Sequence, residues 1–86
     1  MLKIYGSMLC PDCVECCNDL NNAGVNYEFL DFADNLKNLK EFLVIRDRDE
    51  VFLEVRKNGS IGIPCIVDEN GSLSLSWNDY VTQADA

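Results

Sequence analysis

Leu2-Lys3-Ile4-Tyr5-Gly6-Ser7-Met8-Leu9-Cys10-Pro11-Asp12-Cys13 is the stretch that decides how the chain is read. Leu2 to Tyr5 reads as a short strand, and Gly6 ends it. Cys10 can cap a helix whose first residue is Pro11, where proline's fixed φ and missing N–H cost nothing. At about 100° per residue, Cys13, Cys16, Cys17, Leu20, Ala23 and Gly24 fall on one face of that helix. Asp12, Glu15, Asn18, Asp19 and Asn22 fall on the other. Gly24 is a fitting stop. A Cys-x-x-Cys therefore sits where a strand ends and a helix begins.

Working outward, Val25 to Phe32 reads as a second strand, with Tyr27, Phe29 and Leu30 suited to a pleated surface. Residues 35–46 predict a second helix, with Leu36, Leu39 and Leu43 as its apolar stripe. Asp47-Arg48-Asp49 looks like a break, with Asp49 capping a third helix that carries Val51, Phe52 and Val55. That helix stops at Asn58-Gly59. Pro64 opens a third strand, Cys65-Ile66-Val67. Asn70-Gly71 signals a hairpin, and Ser72-Leu73-Ser74-Leu75 alternates as a half-exposed fourth strand should. Residues 77–84 read as a final helix. The order β-α-β-α-α-β-β-α predicts an α/β fold: one four-stranded mixed sheet with helices on both faces.

With 86 residues, a single domain over 1–86 is expected. A hydrophobic share of 48% suits a folded globule rather than a disordered tail. A net charge of −8 argues against nucleic acid, which calls for a basic patch, and against an anionic membrane. No stretch approaches the ~20 apolar residues of a membrane span, and no secretory leader is visible at residues 1–6. Five cysteines is an odd count, so full pairing would leave one over. The expectation is a cytoplasmic protein whose thiols are reduced and more suited to catalysis or metal binding than to structural bridges.

The dithiol has a direct chemical rationale. The thiolate is the reactive form of cysteine. At the helix start, Cys10 faces unpaired backbone N–H groups and the positive end of the helix dipole, which favour the anion. Cys13, about one turn on, is placed to close a disulfide with it and so to resolve a mixed disulfide. A Cys-x-x-Cys near a βαβ pattern is a thioredoxin-like redox signature. Asp12 and Glu15 oppose the thiolate, so the reduced form should be less stabilised and the couple more reducing. The alternative for the pair alone is a buried or zinc-binding role.

Tyr5-Gly6-Ser7-Met8-Leu9-Cys10-Pro11-Asp12-Cys13, with Gly62-Ile63-Pro64 about fifty residues later, resembles the glutaredoxins, and more closely a bacterial set of glutaredoxin-related proteins. The element order is similar over nearly the whole chain. The resemblance implies a thioredoxin-like fold and a disulfide oxidoreductase, with Cys10 as nucleophile and Cys13 as resolving thiol. It implies that Pro64 is cis and that the Ile63 backbone pairs with glutathione or peptide. Further contacts would come from Pro11, Asp12, Trp77 and Asn78. The substrates implied are disulfide-bearing proteins or glutathione mixed disulfides. Glutathione would be the co-substrate, no bound cofactor is expected, and a reductase would donate the electrons to a monomer. Three positions depart from the family pattern. Ser7 stands where its lysine contacts glutathione, Gly62-Ile63 replaces threonine-valine, and Leu75-Ser76 replaces paired glycines.

The other thiols read as packing: Cys17 and Cys16 on the apolar helix face and Cys65 inside the sheet. A different function class would use them. Cys10, Cys13, Cys16 and Cys65 form a thiolate set for zinc, and some glutaredoxins hold an iron–sulfur cluster between subunits. A third class is a non-catalytic, redox-sensing interaction module, with Arg46, Arg48, Trp77 and Tyr80 on a partner surface. The plainer reading pairs the arginines with Asp47, Asp49 and Glu50 in a solvated cluster. With no histidine in the chain, Ser-His and Cys-His nucleophile arrangements are excluded.

Overall fold

Strand β1 spans Leu2–Gly6 and lies at the centre of the sheet. In this computed structural model, which describes residues 1–85 and side chains through residue 81, β1 alternates cleanly. Leu2 and Ile4 face one helical layer and Tyr5 faces the other, the two-residue period of a strand buried on both sides. Helix α1 is Pro11–Asn22, β2 is Tyr27–Asp31 and α2 is Leu36–Arg48. A 3₁₀ turn at Glu50–Phe52 leads into α3, Leu53–Asn58. Then come β3 at Cys65–Val67, β4 at Leu73–Ser74 and α4 at Asn78–Asp85.

The sheet runs β2-β1-β3-β4. β1 pairs in parallel with β2, Leu2 opposite Tyr27 through Gly6 opposite Asp31. It pairs antiparallel with β3, Tyr5 opposite Cys65, and β3 pairs antiparallel with β4. The parallel β1-α1-β2 unit and the closing hairpin are what the element order predicts, so the fold class is α/β with one mixed four-stranded sheet.

Two apolar clusters sandwich the sheet. On one face, Leu2, Ile4 and Ile66 pack with Cys16 and Leu20 of α1, and with Trp77, Tyr80 and Val81 at the α4 end. On the other face, Tyr5 and Cys65 pack with Phe42 of α2 and Phe52, edged by Leu39, Ile45 and Val55.

Local details differ from the sequence reading. Helix α2 does not bury a Leu36–Leu39–Leu43 stripe: Leu36 is 65% and Leu43 40% exposed, while Phe42 is fully buried. The helix turns so that the Phe42 ring sits between Phe32 and Phe52, with centroids 5.2 and 5.7 Å away. An aromatic ring removes more area from water than a leucine, so it sets the rotation. The break at 47–49 falls later, because α2 continues through Arg48 and Asp49 then caps the 3₁₀ turn through Val51 N–H. The β3–β4 connection is the hairpin that Asn70-Gly71 signals, closed by a loop longer than two residues. Asn70 keeps negative φ, and only Gly71 is positive, at 83°. The N–H of Gly71 bonds the Asp68 carbonyl, and Asp68 N–H bonds that of Ser72. This is a three-residue loop with its glycine in the left-handed position.

A candidate dithiol site at the strand–helix junction

The site grows out of the end of β1. Ser7 to Cys10 form a tight turn, in which Cys10 N–H bonds the Ser7 carbonyl and Leu9 N–H bonds the Ser7 hydroxyl at 3.1 Å. Cys10 is the N-cap of α1, with extended φ −91° and ψ 121°, and Pro11 opens the helix. This places Cys10 half-exposed at the helix start, while Cys13, one turn in, is fully buried. Both cysteines are free thiols, one helical turn apart, and their side chains interact electrostatically.

Burial pushes the Cys13 thiol up to about 12; the Ser7 backbone hydrogen bond pulls the other way, and the interaction with Cys10 adds to the rise. Cys13 therefore holds its proton and can donate it toward Cys10. Asp12 and Glu15 lie on the exposed face of α1, where water and salt screen their opposition to a thiolate.

Pro64 is buried, and the Ile63–Pro64 peptide is cis. Extending the β1–β3 register one residue past Tyr5 and Cys65 sets Pro64 beside Gly6, at the sheet end that carries the dithiol turn. Ile63 is half-buried in the Phe42–Phe52 cluster. Pro11 and Asp12 are exposed next to Cys10.

Trp77 is directed elsewhere. Its indole N–H donates to Asp19 at 2.8 Å, and its ring packs in the Leu2–Ile66 cluster, so it fastens the last helix to the middle of α1. Asn78 is exposed at the start of α4.

The remaining cysteines are packing residues. Cys16 is fully buried, and its thiol is pushed up to about 12 by burial first and by its neighbours Cys17 and Cys13 next. Cys17 is raised by burial, with the Tyr27 hydroxyl pulling it back. Cys65 lies in the opposite layer from Cys16, and burial pushes it up to about 12 as well. The set Cys10, Cys13, Cys16 and Cys65 is thus divided by the sheet. Among the described residues no three Cys, Asp or Glu side chains converge as a metal-binding group.

Three residues have roles here that the sequence reading did not give them. Gly6 leaves the space that Cys13 occupies: a β-carbon there would lie 2.6 Å from Cys13 Sγ and 3.3 Å from the Phe29 ring. Gly62 has φ +92°, and a β-carbon would lie 2.9 Å from the Phe52 ring. Phe52 therefore explains glycine in place of a larger residue before Ile63. Arg46 forms the expected ion pair with Asp47 but also grips backbone. Its Nε donates to the Ile61 carbonyl at 2.8 Å and its Nη2 to that of Ser60, with Asp47 3.7 Å away. Arg56 in turn donates to the Arg46 and Asp49 carbonyls. Arginine thus holds the segment leading into the cis-proline. No local pattern announces this, because the partners are backbone carbonyls fourteen and fifteen residues away.

A cavity of about 750 Å³ lies at the other end of the sheet, between Met1, Tyr27, Glu69 and Tyr80, and does not reach the thiols. A second groove begins at the residues flanking Cys10. Among the described residues no helix is long and apolar enough to cross a membrane.

Fold and site together define an α/β protein with a half-exposed and a buried thiol paired at a strand–helix junction. The chain is 35% identical over 72 residues to an uncharacterized protein of Haemophilus influenzae, a match spanning 84% of each chain, and it belongs to the same family as that protein. No family model and no solved structure matches it.

Proposed function

We propose that this protein is a thiol–disulfide oxidoreductase of thioredoxin-like, glutaredoxin-type fold, working through Cys10 and Cys13. The observation that carries this is the half-exposed Cys10 at the start of α1, one helical turn before a fully buried Cys13. The accessible sulfur can meet a substrate, and the shielded one can react only with its neighbour.

The reaction follows from that asymmetry. The Cys10 thiolate attacks one sulfur of a substrate disulfide, forms a mixed disulfide and expels the first substrate thiolate. Cys13 loses its proton, attacks Cys10 Sγ and expels the second substrate thiolate. The protein ends as a Cys10–Cys13 disulfide and the substrate as a dithiol, two electrons having moved. Glutathione, or a flavoprotein of thioredoxin-reductase type, would return those electrons in the cytoplasm. Pro11, Asp12, Ile63 and Pro64 border the substrate. The placement of Trp77 supports a structural role better than direct substrate contact.

Two parallel turnover assays test the reading: a small mixed disulfide with glutathione and its reductase, and a protein disulfide with thioredoxin reductase. Turnover in either, abolished by Cys10→Ser, is the expected result. Silence in both with folded protein overturns it.

A further inference from the structure

A groove beside Cys10 exposes apolar side chains near the thiols. It is lined by Met8, Leu9, Pro11 and Val14, closed by Glu15 and Asp19, and holds about 470 Å³. Leu9 is 90% exposed, Met8 46% and Val14 39%. Neighbouring exposed apolar side chains of this kind offer a place for one apolar side chain of a partner. Charge selects the occupant. Asp12, Glu15 and Asp19 stand along this side of α1, and no Lys or Arg occurs between Lys3 and Lys37 or after Lys57. The dithiol turn, α1, the Ile63–Pro64 segment and the start of α4 therefore carry no cation. Glutathione, with two carboxylates and one ammonium, meets no Lys or Arg borne by these segments, and the neighbouring Arg46 is already engaged by the Ser60 and Ile61 carbonyls.

We infer that the substrate class of this site is a disulfide in a cationic polypeptide segment, whose apolar side chain fills the Met8–Leu9–Val14 groove while Lys or Arg residues face Asp12, Glu15 and Asp19. This rests on the oxidoreductase reading above. Docking brings the segment's disulfide to Cys10. Two electrons pass from the protein dithiol to the segment, which leaves as two thiols, and the protein keeps the Cys10–Cys13 disulfide.

The test separates docking from chemistry. Two cysteine-free peptides with a central leucine, one flanked by Arg and one by Glu, are titrated into the reduced protein and followed by backbone amide shifts. The Arg peptide should bind about tenfold tighter, the scale of a few exposed ion pairs, with shifts at Met8, Leu9 and Val14. The difference should shrink at ~1 M salt, where the screening length is about 3 Å, and in Glu15→Lys. Equal binding, no binding, or shifts elsewhere overturns the inference.

The same pair carrying a disulfide is then mixed with pre-reduced protein, which is its own stoichiometric reductant, beside a small neutral disulfide. Faster reduction of the Arg peptide supports the inference, and equal or inverted rates with the neutral disulfide reduced overturn it. Failure on all three disulfides removes the oxidoreductase reading instead, and the titration still decides whether the groove binds cationic segments.

Discussion

Cys13 Sγ fills the volume that a side chain on Gly6 would need, since a β-carbon at that position would come within 2.6 Å of the sulfur. The end of β1 and the first turn of α1 are thereby fitted to each other through one atom. This is why the Cys13 thiol is buried while Cys10, three residues earlier, is half-exposed.

Gly6→Ala tests this fit. Gly6 is not among the positive-φ positions, so its backbone accepts alanine and only space is at issue. Forcing a methyl group against sulfur and the Phe29 ring should cost about 1–3 kcal/mol of stability. It should also slow the Cys13 step by displacing its sulfur. Denaturant midpoints and mixed-disulfide resolution rates measure the two effects; a variant as stable and as fast as the parent would mean that the sulfur moves aside freely.

Cys13→Ser separates the two thiols. With Cys10 intact and the resolving group gone, the first exchange should proceed and the second should stop. The expected result is a mixed disulfide between Cys10 and substrate, seen as a mass increase that a reductant removes. If Cys10 stays free after exposure to a disulfide, the assignment of nucleophile and resolver is wrong.

Alkaline pH should unfold the chain steeply. Cys13, Cys16 and Cys65 hold their protons up to about 12 in the fold, against 9.0 for a free thiol. Above pH 9 the unfolded chain binds fewer protons than the folded one, so stability falls as pH rises toward 12. Each thiol contributes about 1.4 kcal/mol per pH unit, about 4 kcal/mol for the three together, a large part of a small domain's stability. Denaturation at stepped pH should show a fall at least this steep, shallower by one thiol's contribution in Cys65→Ala. A flat profile between pH 9 and 11 would contradict the burial of these thiols.

Arg46 is expected to position the segment before Pro64. Arg46→Gln should remove about 1–2 kcal/mol by leaving the Ser60 and Ile61 carbonyls with weaker partners. Arg46→Lys should rescue little, because an ammonium lacks the two-pronged donor geometry. Amide exchange at Gly62 and Ile63 should accelerate in both variants. Unchanged exchange there would show that the loop is held without the guanidinium.

Much of this architecture was legible in local signals. Proline after a potential cap, apolar residues at helical spacing and the alternation around Ser72 report on neighbours within a turn or a strand pair, so elements and their order could be read from them. The α2 stripe was misread because Phe42 answers to Phe32 and Phe52, which periodicity within the helix does not see.

By itself, the sequence determined the strand–dithiol–helix junction, the order of elements, the mixed sheet and the pairing of Cys10 with Cys13 at one helix start. Only the tertiary structure decided that Cys13 nests on Gly6, that Cys65 lies across the sheet from Cys16, that Arg46 grips the approach to Pro64, and that Trp77 locks onto Asp19. The first group rests on backbone preferences and spacings that act within a few residues. The second rests on close packing and hydrogen bonding between segments brought together by the sheet, and those contacts exist only once the chain has folded.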